Sequence, residues 1–278
     1  MRYRMLALDL DGTLNNDSKV ITERTRNALL AVQEQGVIVV LASGRPSPGL
    51  KRESDALMLK KYNGLLSSYN GGRVVEAATN NILYEKGLTR EMAVRLLKHM
   101  EAFPVTPIVD NGIDYYTADR KAFMVEYESR LNNLGIKVVN NVAGDLDFDP
   151  VKVLAAAPKE ILLPIAGQIM EPFLEEMSFV QSTPFFLEAT WKGVNKASSL
   201  QAICERRNIR PEEVIAFGDE QNDIRMLQFA GLGVAMGNAS EKLKAVADEV
   251  TLSNNEDGIA HVLEKYFDIP VREGRPEA

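Results

Sequence analysis

Apolar runs and helical stripes alternate at both ends of this chain. Residues 5–8 are a short apolar run and predict a strand over 5–10. Residues 22–35 carry Leu29, Leu30 and Val32 along one side, with Thr22 placed to cap the start and Gly36 to stop the end, so they predict a helix. Residues 37–42 are continuously apolar, the pattern of a strand buried on both faces. A short strand at 65–69 ends in Asn70-Gly71-Gly72, and Val74-Val75 with residues 82–84 predict a hairpin turning at Asn80-Asn81. The last third repeats the rhythm. Helices are expected at 196–208, 223–230, 240–247 and 258–266, and strands at 214–217, 232–236 and 250–252. Residues 270–278 are charged, carry Pro and Gly, and are expected to fray.

The middle reads differently. An amphipathic helix is expected at 90–101, then a strand pair at 105–109 and 114–117 around Asn111-Gly112. A strand follows at 152–157, a helix at 165–177 despite Gly167 and Pro172, and a hairpin at 179–182 and 185–188. This α+β pattern between two βα halves predicts an inserted domain over 83–188. Residues 1–82 and 189–278 are expected to form one α/β core around a doubly wound, mostly parallel sheet.

The predicted strand ends carry the chemistry. After the first strand comes Asp9-Leu10-Asp11-Gly12-Thr13. Carboxylates near a core must be paired or bound to a metal. Side chains at i and i+2 start out on one face, and Gly12 permits a sharp turn. Such a turn puts Asp9 and Asp11 at the carboxyl end of a strand, where open α/β sheets hold ligands. One carboxylate suits a nucleophile, the other a proton donor, with a hard cation beside a phosphate. A calcium loop counted from Asp9 would need Gly and Glu where the chain has Leu14 and Val20, so an EF-hand is excluded.

Three more sites follow the same logic. Ser43-Gly44-Arg45 comes directly after a buried run, and its hydroxyl and amides suit a phosphate oxygen. Lys196 opens a helix, where a cation is poorly placed against the macrodipole and so points to a nearby anion. In Gly218-Asp219-Glu220-Gln221-Asn222-Asp223, Asp219 at a strand end can complete a cation site begun by Asp9, and Asn222 and Asp223 can hold Lys196 or a metal-bound water.

Composition narrows the field. The chain has 278 residues, 45% of them hydrophobic, enough for two domains and a substantial core. The net charge of −7 disfavours nucleic acid as a partner. Residues 83–190 hold 16 acidic and 10 basic side chains, so most of the excess lies in the middle. Cys204 is the single cysteine, which excludes an intrachain disulfide and a cysteine metal site and fits a reducing compartment. The first apolar run ends in carboxylates too early for a signal peptide or membrane span, so a cytoplasmic protein is the default. His99 and His261 stand alone in helical segments and read as packing or surface residues, which removes histidine triads and zinc sites.

Taken together, "DLDGT", "LASGR", "GVNKASSL" and "GDEQND" resemble, in order, the four motifs of the haloacid dehalogenase superfamily. The long insert, "SYNGG" and "GVAMGNA" resemble the Cof-like phosphatases with a type IIB cap. The resemblance implies that Asp9 attacks phosphorus and forms an aspartyl-phosphate, and that Asp11 protonates the leaving alcohol and then activates water. It implies Ser43, Gly44, Lys196 and Asn222 on the phosphate, and Mg²⁺ held by Asp9, the Asp11 carbonyl and Asp219, with Asp223 supporting the metal shell or Lys196. Arg45, Asn70 and Gly71 are the implied substrate-side contacts. Residues 83–188 would be a cap that closes over the site and meets the leaving group, with Asp114, Tyr115 and Arg120 as candidate contacts. The expected substrate is a small phosphorylated metabolite such as a sugar phosphate. A phosphomutase of the mannomutase type and a phosphate sensor without catalysis are the alternatives. The sequence departs from the family at Asn15-Asn16, where many relatives have an apolar residue before Asn, and at Ala197, where Gly is frequent.

Overall fold

The computed structural model describes residues 2–269, and the tail expected to fray lies outside the described residues. The chain begins with β1 (Met5–Leu8), α1 (Glu23–Glu34), β2 (Ile38–Ala42), α2 (Lys51–Ala56), β3 (Leu65–Ser68), β4 (Arg73–Glu76) and β5 (Ile82–Glu85). There follow α3 (Arg90–Met100), β6 (Thr106–Asp110), β7 (Asp114–Thr117), α4 (Val125–Asn132), β8 (Gly135–Val138), β9 (Lys152–Ala156), α5 (Lys159–Met170), β10 (Met177–Thr183) and β11 (Phe186–Trp191). The last stretch is α6 (Lys196–Arg207), β12 (Val214–Gly218), α7 (Ile224–Phe229), β13 (Leu232–Ala235), α8 (Glu241–Lys244), β14 (Glu249–Val250) and α9 (Gly258–Tyr266).

Two compact units result. Among the described residues, the first comprises 2–43, 50–84 and 195–269; the second comprises Gly44–Gly49 and Glu85–Val194. In the first unit an eight-stranded sheet runs β14-β13-β12-β1-β2-β3-β4-β5. Pairings from β14 through to β3 are parallel, and β4 is antiparallel to β3. β1 is the hinge of the topology: β2 lies on one side of it and β12, some two hundred residues later, on the other. Order reverses there, and open α/β sheets bind ligands at that crevice. The central strands β1, β2 and β12 are apolar because both faces are covered, as Leu6, Leu8, Val39, Leu41, Ile215 and Phe217 are all fully buried. Leu29 and Val32 of α1 and Val262 and Leu263 of α9 belong to the same core. Each such side chain contributes about 1.5–3 kcal/mol by leaving water.

The second unit holds a six-stranded sheet, β10-β11-β9-β6-β7-β8, antiparallel except for β7 with β8. Leu96, Leu97 and Met100 of α3 and Leu162 and Ile169 of α5 pack with Val153, Ala155, Leu187 and Ala189. Ile108, Tyr115, Leu154 and Phe186 form a second cluster with Val125 of α4.

Three expectations are corrected. The division at 188/189 would cut β11, which pairs through Thr190 with β9, so residues 189–194 stay with the inserted unit. Gly44–Gly49, expected in the core, also groups with that unit. The helix expected at 165–177 is α5 instead: it starts after Pro158, and Pro172 falls in a short 3₁₀ turn. Met177 pairs with Trp191 as a strand residue, so cross-strand packing overrides local pattern there. α2, α4 and β8 lay outside the reading because their charged or broken patterns give no apolar stripe.

Candidate active site

Asp9, Asp219 and Ser43 each follow the carboxyl end of a parallel strand, β1, β12 and β2 in turn. The three strands are direct neighbours, in the register Leu8 with Phe217 and Leu8 with Leu41. The Asp9 amide donates to the Phe217 carbonyl at 3.1 Å and continues the ladder one residue past β1.

The turn after Asp9 then folds back on itself. Leu14 donates to the Asp9 carbonyl and Asn15 to that of Leu10. Gly12 has φ +92°, and a Cβ there would lie 2.2 Å from Asp219 Oδ2, so both backbone conformation and space demand glycine. Thr13 Oγ1 donates to Asp219 Oδ1 at 2.7 Å, and Asn238 Nδ2 donates to the Gly12 carbonyl at 2.8 Å.

Lys196 arrives from the start of α6. Asn195 caps this helix, accepting from the amides of Ala197 and Ser198 in a capping box. Gly71, at φ +97°, lets its turn press against the cap: a Cβ there would be 2.2 Å from the Asn195 carbonyl oxygen. With the helix start fixed, the fully buried Lys196 Nζ lies 2.5 Å from Asp9 Oδ1 and 2.6 Å from Asp223 Oδ1. The other Asp223 oxygen accepts from the amides of Asp219 and Glu220. Asp223 is thereby occupied on both oxygens and holds Lys196 in place.

The charges do not balance. Asp9, Asp219 and Asp223 offer carboxylate oxygens within 4.8 Å of one another, against one lysine. Burial, then Asp223 and Asp219, hold the Asp9 pKa well above the carboxylate range despite the pull of Lys196. Burial pushes Asp219 up to about 6, with Asp223 adding to it and the Thr13 hydroxyl opposing. Burial works against charge on Lys196 too, but Asp223 and Asp9 outweigh it and raise its pKa above that of an ordinary lysine. A hard divalent cation is what a buried, all-oxygen, net-negative set suits.

The other predicted residues make their own contacts. Ser43 is buried, and its carbonyl accepts from the Asn70 amide at 2.9 Å. Asn222 Nδ2 donates to Asn70 Oδ1 at 3.1 Å, so three of the loops implicated by sequence are tied together. Asn70 has φ +55°, a strained conformation for a residue other than glycine. The Asp11 carboxylate is 39% exposed and takes Lys19 Nζ at 3.1 Å, outside the cluster of Asp9, Asp219 and Asp223. Gly44 and Arg45 group with the second unit, where the Gly44 carbonyl accepts from the buried Lys152 Nζ at 3.1 Å.

Sequence reasoning missed Thr13 and Asn238, although both lie inside quoted motifs; a hydroxyl next to a turn glycine was the available signal. It also missed a buried polar group in the second unit. There Lys152 pairs with Glu188 at 3.2 Å, and Asn132 donates to Tyr115 Oη and Glu128 Oε2. Tyr115, a candidate contact, is buried in that group. His99 packs edge-on against Phe103 and Phe173, as a packing residue should.

Comparison with known proteins agrees across the chain. The family profile described as haloacid dehalogenase-like hydrolase matches residues 6–263. A haloacid dehalogenase-like hydrolase from Bacteroides thetaiotaomicron superimposes with a TM-score of 0.89 at 36% identity, over 95% of this chain and all of the other. TM0651 from Thermotoga maritima gives 0.82 at 30% identity, over 97% and 98%. The 5-amino-6-(5-phospho-D-ribitylamino)uracil phosphatase YitU of Bacillus subtilis is 30% identical over 270 residues, 95% of this chain and 98% of that protein. Among the described residues no helix is long and apolar enough to cross a membrane.

Proposed function

The chain belongs to the haloacid dehalogenase-like hydrolases and is a phosphatase, and on that premise we propose that it hydrolyses a small phosphorylated metabolite through an aspartyl-phosphate on Asp9, with Mg²⁺ as cofactor. The carrying observation is the buried set of Asp9, Asp219, Asp223 and Lys196, in which three carboxylates face one ammonium.

Asp9 and Asp219, with the Asp11 carbonyl, would hold the cation. When bound, it supplies positive charge that keeps both carboxylates ionised and attracts phosphate oxygens. Asp9 attacks phosphorus in line, forming the carboxylate–phosphorus bond as the ester oxygen departs. Lys196 offsets the nucleophile's charge and takes a phosphate oxygen, alongside the Ser43 hydroxyl and the Asn222 amide. Asp11, more exposed than Asp9, gives its proton to the leaving oxygen. Its carboxylate then takes a proton from water as that water attacks the phosphoryl group and frees Asp9. Positioning and charge stabilisation dominate such a reaction, and a pre-assembled buried site supplies both.

For the organic part of the substrate we favour a phosphorylated sugar or sugar-alcohol compound. Support comes from YitU, whose name gives it a phosphorylated ribitylamino substrate. A cytoplasmic setting accords with the lone, buried Cys204. The test is phosphate release from a panel of phosphorylated metabolites, with Mg²⁺ and with chelator, and trapping of one phosphoryl group on Asp9 by mass spectrometry. A labelled site other than Asp9, or turnover that ignores chelation, overturns the reading.

A further inference from the structure

The turn that carries Asp11 is anchored by a polar pair placed inside the core. Asn15 is fully buried, and its Nδ2 donates to Glu53 Oε1 at 3.0 Å. Glu53, on α2, is only 1% exposed, and the same oxygen takes Arg52 Nη2 at 2.5 Å. Asn15 is bridged to Asp11 across the turn. Its amide donates to the Leu10 carbonyl at 2.8 Å, and its carbonyl accepts from Asn254 Nδ2 at 3.0 Å. The Asn254 amide in turn donates to Asn238 Oδ1, and Asn238 Nδ2 donates to the Gly12 carbonyl. Side chains from three distant stretches therefore clamp residues 12 and 15, in the turn that directly follows Asp11 and is bridged back to it.

Placing a carboxylate and a carboxamide in a core costs stability unless each satisfies the other. An apolar pair would fill the same space without that cost. What the polar pair adds is direction: a hydrogen bond fixes the Asn15 side chain, and the bridge passes that constraint to Asp11. A proton donor must be held within about half an ångström of its working position.

We propose that Asn15, held by Glu53, is a positioning residue for Asp11 and sets the efficiency with which the leaving group is protonated. This rests on the reading of Asp11 as the acid. Proton donation matters most for a poor leaving group and little for an aryl oxide that leaves unaided. The change a variant makes in the ratio of kcat/KM for an alkyl phosphate to that for p-nitrophenyl phosphate therefore reports on protonation of the leaving group. The parameter kcat/KM ends with formation of the phosphoenzyme, so the later hydrolysis does not mask it.

The experiment compares glycerol 2-phosphate with p-nitrophenyl phosphate in the full-length enzyme with Mg²⁺. Asn15→Leu and Glu53→Leu should each lower the alkyl rate about 10- to 100-fold and the aryl rate less than about 3-fold, a selective loss within the range of general acid catalysis. Glu53→Gln keeps the acceptor and should restore the wild-type ratio. Where a leucine variant does not fold, Asn15→Ser, which shortens the side chain beyond reach of Glu53, must show the same selective loss. Asp11→Asn is the control and should show the same selectivity, more strongly. If Asp11→Asn is selective while the Asn15 and Glu53 variants depress both substrates equally, the pair only stabilises the fold and the inference fails. If Asp11→Asn is not selective, the reading of Asp11 as the acid fails instead.

Discussion

Lys196 and Asp9, 187 residues apart in the chain, meet at 2.5 Å, the lysine with no solvent exposure at all. The contact joins the start of α6 to the end of β1, and Asp223 completes it from the loop after β12. Removing the ammonium leaves three neighbouring carboxylates with no lysine among them. Lys196→Met is expected to lower kcat about 10²- to 10³-fold, the scale seen when one charge-stabilising group is lost. Steady-state kinetics at saturating Mg²⁺ checks this, and a loss below about 5-fold would remove Lys196 from the reaction.

Asp9→Asn takes away a charge that the metal-free protein holds at a cost. Turnover should fall by about 10⁵-fold or more if Asp9 is the nucleophile proposed above. In the presence of chelator the melting temperature should rise, because the Asp9 carboxylate is held well above its ordinary pKa by burial and by Asp223 and Asp219. Calorimetry of the two chelated proteins decides it; a lower melting temperature for the variant would contradict the charge imbalance.

The raised Asp219 also fixes a pH dependence. Its pKa of about 6 in the folded chain exceeds its ordinary 3.8, so between these values the folded state binds more protons than the unfolded one. Stability of the chelated protein should therefore decline as pH rises from about 4 to 6. Mg²⁺ requires the ionised form, so the melting-temperature increase on adding Mg²⁺ should grow from pH 5 to pH 7. An increase that stays constant over that interval would show that Asp219 does not gate the cation.

Gly12→Ala places a side chain where φ is +92° and where Asp219 Oδ2 stands 2.2 Å away. Strain of about 1–3 kcal/mol is expected from the backbone alone, with displacement of Asp219 besides. Denaturant titration should show the lost stability, and isothermal titration a weaker Mg²⁺ affinity; full retention of both would mean the turn has another conformation available.

Cys204 gives an internal control on burial. Desolvation pushes its thiol up to about 11, and a thiol reacts as the thiolate. Iodoacetamide at pH 8 should leave it unmodified in the folded protein and alkylate it within minutes once urea unfolds the chain.

The sequence made the site readable because strand ends are conspicuous. A continuous apolar run such as residues 37–42 ends abruptly in Ser43, which the structure places directly after the carboxyl end of β2. Lys196 was readable for a different reason, its misplacement at a helix start. Thr13 and Asn238 were not singled out, since their roles depend on Asp219 and Gly12 being brought to them by the fold. The same holds for Glu53, in a six-residue helix without an apolar stripe, which matters only because Asn15 comes to rest against it. The division between units was misjudged near 189 because β11 and the turn after it have the composition of either unit, and only pairing with β9 assigns them.

The place of β1 between β2 and β12 has a consequence for biosynthesis. A ribosome delivers Asp9 long before Lys196, Asp219 and Asp223. Throughout that interval one flank of β1 has no partner strand, and Asp9 has neither its ammonium nor its companion carboxylates. Pairing across so long a loop is slow, so the cluster of Asp9, Asp219, Asp223 and Lys196 forms only after the chain beyond residue 223 has emerged. A truncated product would be a folding risk before it was ever an enzyme.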